Sequence, residues 1–230
     1  MHVMEGFLPP LWCVFWWILS LPCVVYGLIR IRALISRERQ MLPLLGVCGA
    51  FIFILSALKL PSVTGSCSHP TGTGLSAICF GPFVTTVIGS LVLLFQALFL
   101  AHGGLSTLGA NIFSMGICGP FAGYAVYRLM KNTRINIFIT VFAAAFAADI
   151  ITYVVTSLEI ALAYPAGTGG FITSFIAFLS IFALTQLPLA VMEGCIITLV
   201  FKYIMQLRPE ILVSLDIFSP DQIRSAEEVA

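Results

Sequence analysis

The chain has 230 residues, of which 60% are hydrophobic and only 9% charged, with a net charge of +1 and a mean hydropathy of +1.07. A soluble globule draws about a quarter of its residues from charged types, so this composition excludes a solvated surface and reads as an integral membrane protein. At about 20 apolar residues per crossing, the length admits about six to eight spans and no sizeable soluble domain; the near-zero net charge excludes electrostatic capture of nucleic acid.

The start, Met1-His2-Val3-Met4-Glu5, lacks the positive n-region of a cleaved signal peptide, so the first uncharged stretch, 6–29, is expected to be a retained helix. Arg30, Arg32, Arg37, Glu38 and Arg39 follow in one cluster. It is the heaviest positive-inside signal in the chain, and it places that loop in the cytoplasm and the N-terminus outside. A second span covers 40–58, after which residues 60–127 carry no charge at all. Within them, Ser62 to Gly74 is polar and glycine-rich without helical period, which predicts a long loop or re-entrant segment. Such backbone is tolerated at membrane depth only where protein or a water-filled cavity surrounds it.

Further spans are expected at 79–101, 108–130 and 135–157, with a turn at Ala101-His102-Gly103-Gly104. The last apolar block, 170–206, exceeds one ordinary crossing and carries Thr185-Gln186-Leu187-Pro188 near its middle, so it is divided into two spans. The expected fold is an all-α, polytopic membrane helix bundle of about seven transmembrane helices. It forms a single domain over 1–207, with a cytoplasmic tail over 208–230. Strict alternation then leaves Arg128, Lys131 and Arg134 outside, as a local exception to the positive-inside tendency.

Chemistry in so apolar a chain points first to its three histidines. A free N-terminal amine, the amide nitrogen of residue 2 and the imidazole of His2 can close two fused chelate rings on one metal ion. A histidine at position 2 should also protect Met1 from removal. The fourth equatorial position is open to an imidazole from elsewhere, and His69 on the glycine-rich loop is the obvious donor. Four nitrogens in a plane suit nickel, copper and plausibly cobalt, whereas zinc prefers a tetrahedron and magnesium or calcium oxygen ligands. The bland readings stand beside this: a histidine after the initiator methionine is usually incidental, and His69 fits a hydrogen-bonding loop residue. His102 fits a helix-end or interface histidine better than a ligand.

The seven cysteines, at 13, 23, 48, 67, 79, 118 and 195, include no CxxC and read as small apolar filler. Cys67 stands out only because it is two residues from His69. No GxxxxGK[ST], HExxH or GxSxG occurs, so neither nucleotide hydrolysis nor a familiar hydrolase site is expected. Asp149 and Glu193 fall inside expected spans, where an ionisable group is a functional candidate. Equally open is a structural role, with bundle hydroxyls such as Thr152 or Thr198 as partners. An intramembrane enzyme or cofactor-handling protein using Asp149, Glu193 and the histidines is therefore the alternative to a metal-capture protein.

Three longer stretches carry a resemblance: Met1-His2-Val3-Met4-Glu5-Gly6-Phe7-Leu8-Pro9, the loop Leu60 to Leu75 around Cys67-Ser68-His69-Pro70-Thr71-Gly72, and Phe95 to Asn111. With Ser114-Met115-Gly116, Thr185-Gln186-Leu187-Pro188 and Glu193-Gly194, they resemble the CbiM/NikM family over residues 1 to about 207. Members of that family are the substrate-capture (S) components of energy-coupling-factor transporters for cobalt and nickel. The resemblance implies seven helices and an outside N-terminus threaded back into the bundle. It also implies Co2+ or Ni2+ as transported substrate, held by the Met1 amine, the His2 amide and imidazole, and His69. Met4-Glu5-Gly6 is similar to the cobalt branch, whereas nickel members more often have Pro and Asp at the first two of these positions. Val3 and Ser76 are small departures from the family pattern that touch no ligand.

The family further implies no catalysis by this chain, a place in a prokaryotic cytoplasmic membrane, and three kinds of partner. These are separate ATPase subunits, a membrane coupling (T) subunit and a small accessory membrane subunit. Gly46, Gly49 and Ala50 on the second span would let a partner helix pack closely. Metal-bound imidazoles normally donate their other ring nitrogen, and Ser66, Ser68, Thr71, Asn111 and Gln186 are the candidates to receive it.

Overall fold

The computed structural model describes residues 2–61, 66–133 and 135–227, and these form a bundle of helices with one small sheet. Strand β1 is His2–Val3, β2 Leu60–Pro61 and β3 Ser66–Ser68. The helices are α1 (Pro10–Arg37), α2 (Met41–Ala57), α3 (Thr73–Phe80), α4 (Pro82–Phe99), α5 (Leu108–Asn111), α6 (Gly119–Lys131), α7 (Ile137–Ala163), α8 (Gly170–Leu207), α9 (Pro209–Ser214) and α10 (Pro220–Glu227). A π-helical stretch, Ile112–Cys118, joins α5 to α6. Four helices, α1, α4, α7 and α8, are long and apolar enough to cross a membrane, and α2 is a shorter apolar helix.

Local chemistry explains the breaks. Pro10 supplies the fixed φ of a first helical residue, and α1 runs into the arginine cluster, past Arg30 and Arg32, to end at Arg37. The expected span 79–101 begins instead at a sharp reversal. Gly81 takes φ +82, a left-handed angle that other residues adopt at a cost, and Pro82 opens α4. The two spans expected within 170–206 are corrected to one: α8 is continuous for 38 residues, about 57 Å at 1.5 Å per residue, with Pro188 inside it. A proline removes one ladder hydrogen bond, but neighbouring helices in a membrane bundle tolerate the loss.

Antiparallel α7 and α8 form the spine, with α6 against α7 and α4 against α1. Their apolar faces meet in cores around Val141, Ala145, Ile197 and Phe201, around Ile52, Leu93 and Met115, and around Trp16, Ile160 and Phe182. Outward faces are apolar too. Along α1 they show Leu11, Val14 and Ile18, and on α8 Leu184 is 82% exposed, the pattern of a surface solvated by lipid.

The two ends of the bundle differ. At one end Tyr127 Oη donates to the Ile217 carbonyl at 2.6 Å, Lys131 approaches Asp216 at 3.5 Å, and Arg30, Gly81, Arg128 and Asp216 line one cavity. Leu212, Ile217, Phe218 and Ile223 of the tail are buried there. At the opposite end the Tyr164 hydroxyl donates to the Phe7 carbonyl, and the Ser106 amide donates to Glu5 at 3.1 Å.

Candidate metal centre

The N-terminal segment enters the bundle as a strand because its peptide groups find no water there and must be paired. Antiparallel pairing sets His2 opposite Cys67 and Val3 opposite Ser66, while Leu60 lies opposite Ser68 on the far edge. Val3 is gripped on both polar groups. Its N–H donates to Asn111 Oδ1 at 2.8 Å, and its carbonyl accepts from Thr107 Oγ1 at 2.8 Å and Asn111 Nδ2 at 3.1 Å. Thr107 and Asn111 are one turn apart, so a single helix start fixes the strand.

The loop that carries His69 is held from α7 and α8. Gln186 Nε2 donates to the His69 carbonyl at 3.1 Å and to both oxygens of Asp149 at 2.8 Å. Glu193 accepts from the Thr71 amide, from Thr71 Oγ1 at 2.8 Å and from the Gly72 amide at 2.9 Å. Its carboxylate thus satisfies the two backbone amides that lead into α3. Ser68 Oγ meets Thr185 Oγ1 at 2.8 Å.

These supports converge four side chains, His2, Cys67, His69 and His102, all buried. One ligand atom from each lies within 4.8 Å of every other. The His2 and His69 rings stack at 4.3 Å with planes 30° apart, and His102 stands almost perpendicular to both, at 89° and 82°. His102 Nε2 is 3.0 Å from His2 Nδ1 and 2.9 Å from Cys67 Sγ. His69 Nδ1 donates to the Pro70 carbonyl at 2.8 Å, which leaves Nε2 as its free lone pair. Among the described residues, His2 Nε2, His69 Nε2 and His102 Nδ1 have no hydrogen-bond partner. Buried ring nitrogens without partners are costly in a folded protein; a cation at the centre would engage His69 Nε2, while His102 meets its neighbours through Nε2 and not through the unpartnered Nδ1.

Electrostatics suits that reading. Burial, reinforced by neighbouring imidazoles, holds the His2 pKa well below the usual imidazole range, and burial lowers His102 to about 4. Both rings are therefore neutral near pH 7, the form that binds a metal. Gly103 permits the close approach: it sits at φ +79, and a Cβ there would lie 3.1 Å from Asn111 Nδ2 and 3.7 Å from the His2 side chain.

Of the expected ligands, His2 and His69 lie side by side, and Met1 is outside the described residues. Ser68, Thr71, Asn111 and Gln186 do surround the centre, but they hold backbone, hydroxyl and carboxylate groups, and the ring N–H of His69 goes to a carbonyl. Ser66 faces Val3 across the sheet. Thr152 and Thr198 are not the partners of Asp149 and Glu193. Each donates to the carbonyl four residues back, Ala148 and Gly194, as helical hydroxyls in apolar surroundings do.

Two residues were underweighted by pattern alone. His102 is at the centre, and the hint was its glycine pair, which lets a chain turn under a ring. Glu159 lies beyond the span expected to end at 157, yet α7 continues to Ala163 and buries it, with neither carboxylate oxygen partnered among the described residues.

Comparison with known proteins agrees with this geometry. The family model described as "Cobalt uptake substrate-specific transmembrane region" matches residues 2–211. A CbiM 2 protein of Methanosphaerula palustris is 67% identical over 226 residues, covering 98% of this chain and 96% of the relative. The cobalt transport protein CbiM of Chlorobium limicola is 56% identical over 211 residues, covering 92% of this chain and 83% of the relative. A crystal structure of a truncated transition metal transporter superposes with a TM-score of 0.79 at 26% identity, covering 90% of this chain and 99% of that one. Matched along nearly its whole length by sequence and by fold, the chain belongs to the CbiM family, a transporter family and not a family of enzymes.

Proposed function

We propose that this chain is the substrate-capture subunit of an ATP-driven cobalt uptake system, and that it binds Co2+, or secondarily Ni2+, from the extracytoplasmic side. The observation that carries this is the buried pair His2 and His69, stacked at 4.3 Å, with an unpartnered Nε2 on His69 and with Nδ1 of His2, the ring atom that can close a chelate with its own amide, turned to the same centre. The first coordination sphere is the Met1 amine, the His2 amide nitrogen and imidazole, and His69. The names of the relatives, cobalt transport proteins in several organisms, support cobalt as the substrate.

The chain crosses the membrane seven times, with an outside N-terminus and a cytoplasmic tail. The third crossing is built around β3 and the short α3, and α8 crosses once. Arg30, Arg128 and Asp216 lining one cavity support this orientation, because it brings Arg128 and Lys131 to the same side as the arginine cluster and removes their exception to the positive-inside tendency. ATPase subunits, a coupling subunit and a small accessory membrane subunit complete the system. Gly46, Gly49 and Ala50 border an apolar groove between α1, α2 and α4 that a partner helix can enter.

Capture follows from the supports. Glu193, Gln186 and Asn111 hold loop and strand in place, so the incoming ion meets preformed ligands and displaces protons from the amine and the amide. Blocking the terminal amine by an extension ahead of Met1 should weaken cobalt binding by at least about a hundredfold, more than loss of a supporting contact achieves. Binding that survives the extension unchanged refutes the amine chelate. His69→Ala should abolish stoichiometric binding, and competitive uptake of cobalt and nickel in cells carrying all subunits decides the preferred ion.

A further inference from the structure

The planar chelate needs only His2 and His69 among the described side chains, and it leaves Cys67 and His102 without a task. Both are buried at the same centre, 6% and 2% exposed, and both point their ligand atoms at it. In a tetrahedral zinc site with metal bonds of about 2.0–2.1 Å to nitrogen and about 2.3 Å to sulfur, ligand atoms sit about 3.4 Å apart for nitrogen pairs and about 3.6 Å for nitrogen and sulfur. Here His102 Nε2 lies 3.0 Å from His2 Nδ1 and 2.9 Å from Cys67 Sγ, and all four atoms lie within 4.8 Å of one another. Side-chain shifts of a few tenths of an ångström to about 1.4 Å open the first two contacts and close the rest onto one ion.

The donor set is one thiolate and three imidazoles. That softness and that geometry suit a d10 divalent ion, not the planar nitrogen field of nickel. The rings agree with this, since His102 stands at 89° to His2 and 82° to His69, outside any common plane.

We infer that the same pocket has a second coordination mode, a tetrahedral site of Cys67, His2, His69 and His102 that takes Zn2+ without using the N-terminal amine. The thiol gives up its proton to water as the metal binds, because a coordinated thiol is held as thiolate. A zinc ion held this way occupies His2 and His69 and so competes with the captured ion for the same nitrogens. The inference goes beyond the proposed function and does not depend on the amine chelate.

The test uses the full-length protein with its natural N-terminus, purified free of metal. Zinc and nickel are titrated separately against a chromophoric competitor, for wild type, Cys67→Ser and His102→Gln. Each variant should lose about tenfold or more in zinc affinity and clearly less in nickel affinity. Cobalt added as a spectroscopic probe to protein whose amine is blocked should show a thiolate-to-metal charge-transfer band that Cys67→Ser removes. Zinc affinity unchanged in both variants overturns the inference. So does a parallel loss of zinc and nickel in both, since Cys67 and His102 then shape one shared pocket. Insensitivity of nickel binding to the blocked amine sinks the chelate alone, so the two failures are distinguishable.

Discussion

Asn111→Leu tests how far the metal centre depends on the seating of a two-residue strand. Among the described residues the Val3 N–H has one side-chain acceptor, Asn111 Oδ1 at 2.8 Å, whereas the Val3 carbonyl has two side-chain donors, Thr107 Oγ1 and Asn111 Nδ2. Leucine therefore orphans the N–H and leaves the carbonyl satisfied. Val3 is fully buried, and an orphaned buried amide costs about 1–3 kcal/mol. If the seated strand is the only form that binds metal, an intermediate cost of about 2 kcal/mol weakens apparent affinity by up to about thirtyfold. Thr107→Val removes one of two donors to the carbonyl and should weaken affinity only a few-fold. The assay is competitive cobalt titration of purified protein, with thermal unfolding in the same detergent as a check on global stability. An Asn111→Leu affinity equal to wild type, or a Thr107→Val effect as large, refutes the argument that the Val3 amide holds the centre in place.

Acidification provides a second test. Burial lowers the pKa of His2 and His102, so the folded protein holds these rings neutral where the unfolded chain protonates them, at about 6.5. The unfolded state then binds more protons, and the stability these rings contribute is complete above about pH 6.5 and is lost as pH falls below it. For His102 the loss ends near its folded value of about 4. Melting of the metal-free protein should therefore drop between pH 7 and 5, and a His102→Gln variant should show a shallower drop; equal slopes count against it. Glu193→Leu orphans three donors from Thr71 and Gly72 at once, with an expected loss of metal binding or of folded protein, whereas Glu193→Gln keeps an acceptor and should retain part of the binding. Equal titration curves for Glu193→Leu and wild type would show that the carboxylate does not hold the His69 loop.

The amino-acid order determined the solvent and the first residues of the candidate centre. With 9% charge, no arrangement of this chain covers itself with polar surface, so a membrane bundle follows from composition. His2 and His69 were legible as well, because chelate geometry and the glycine-rich loop are local features. The rest needed tertiary structure because it rests on contacts between distant residues. His102 reaches His2 across 100 positions and Cys67 across 35, and nothing in the local pattern of Ala101-His102-Gly103-Gly104 separates a ligand from a helix end. Pro188 read as a break because proline costs a backbone hydrogen bond, yet α8 runs through it in a setting where neighbouring helices absorb that cost. Asp149 and Glu193 read as equally fit for catalysis or for support. Their roles were decided by the partners the fold brings to them: Gln186 for Asp149, and for Glu193 the amides of Thr71 and Gly72. Buried polar backbone must be paired, and in this chain the groups that pair the His69 loop come from helices more than a hundred residues away.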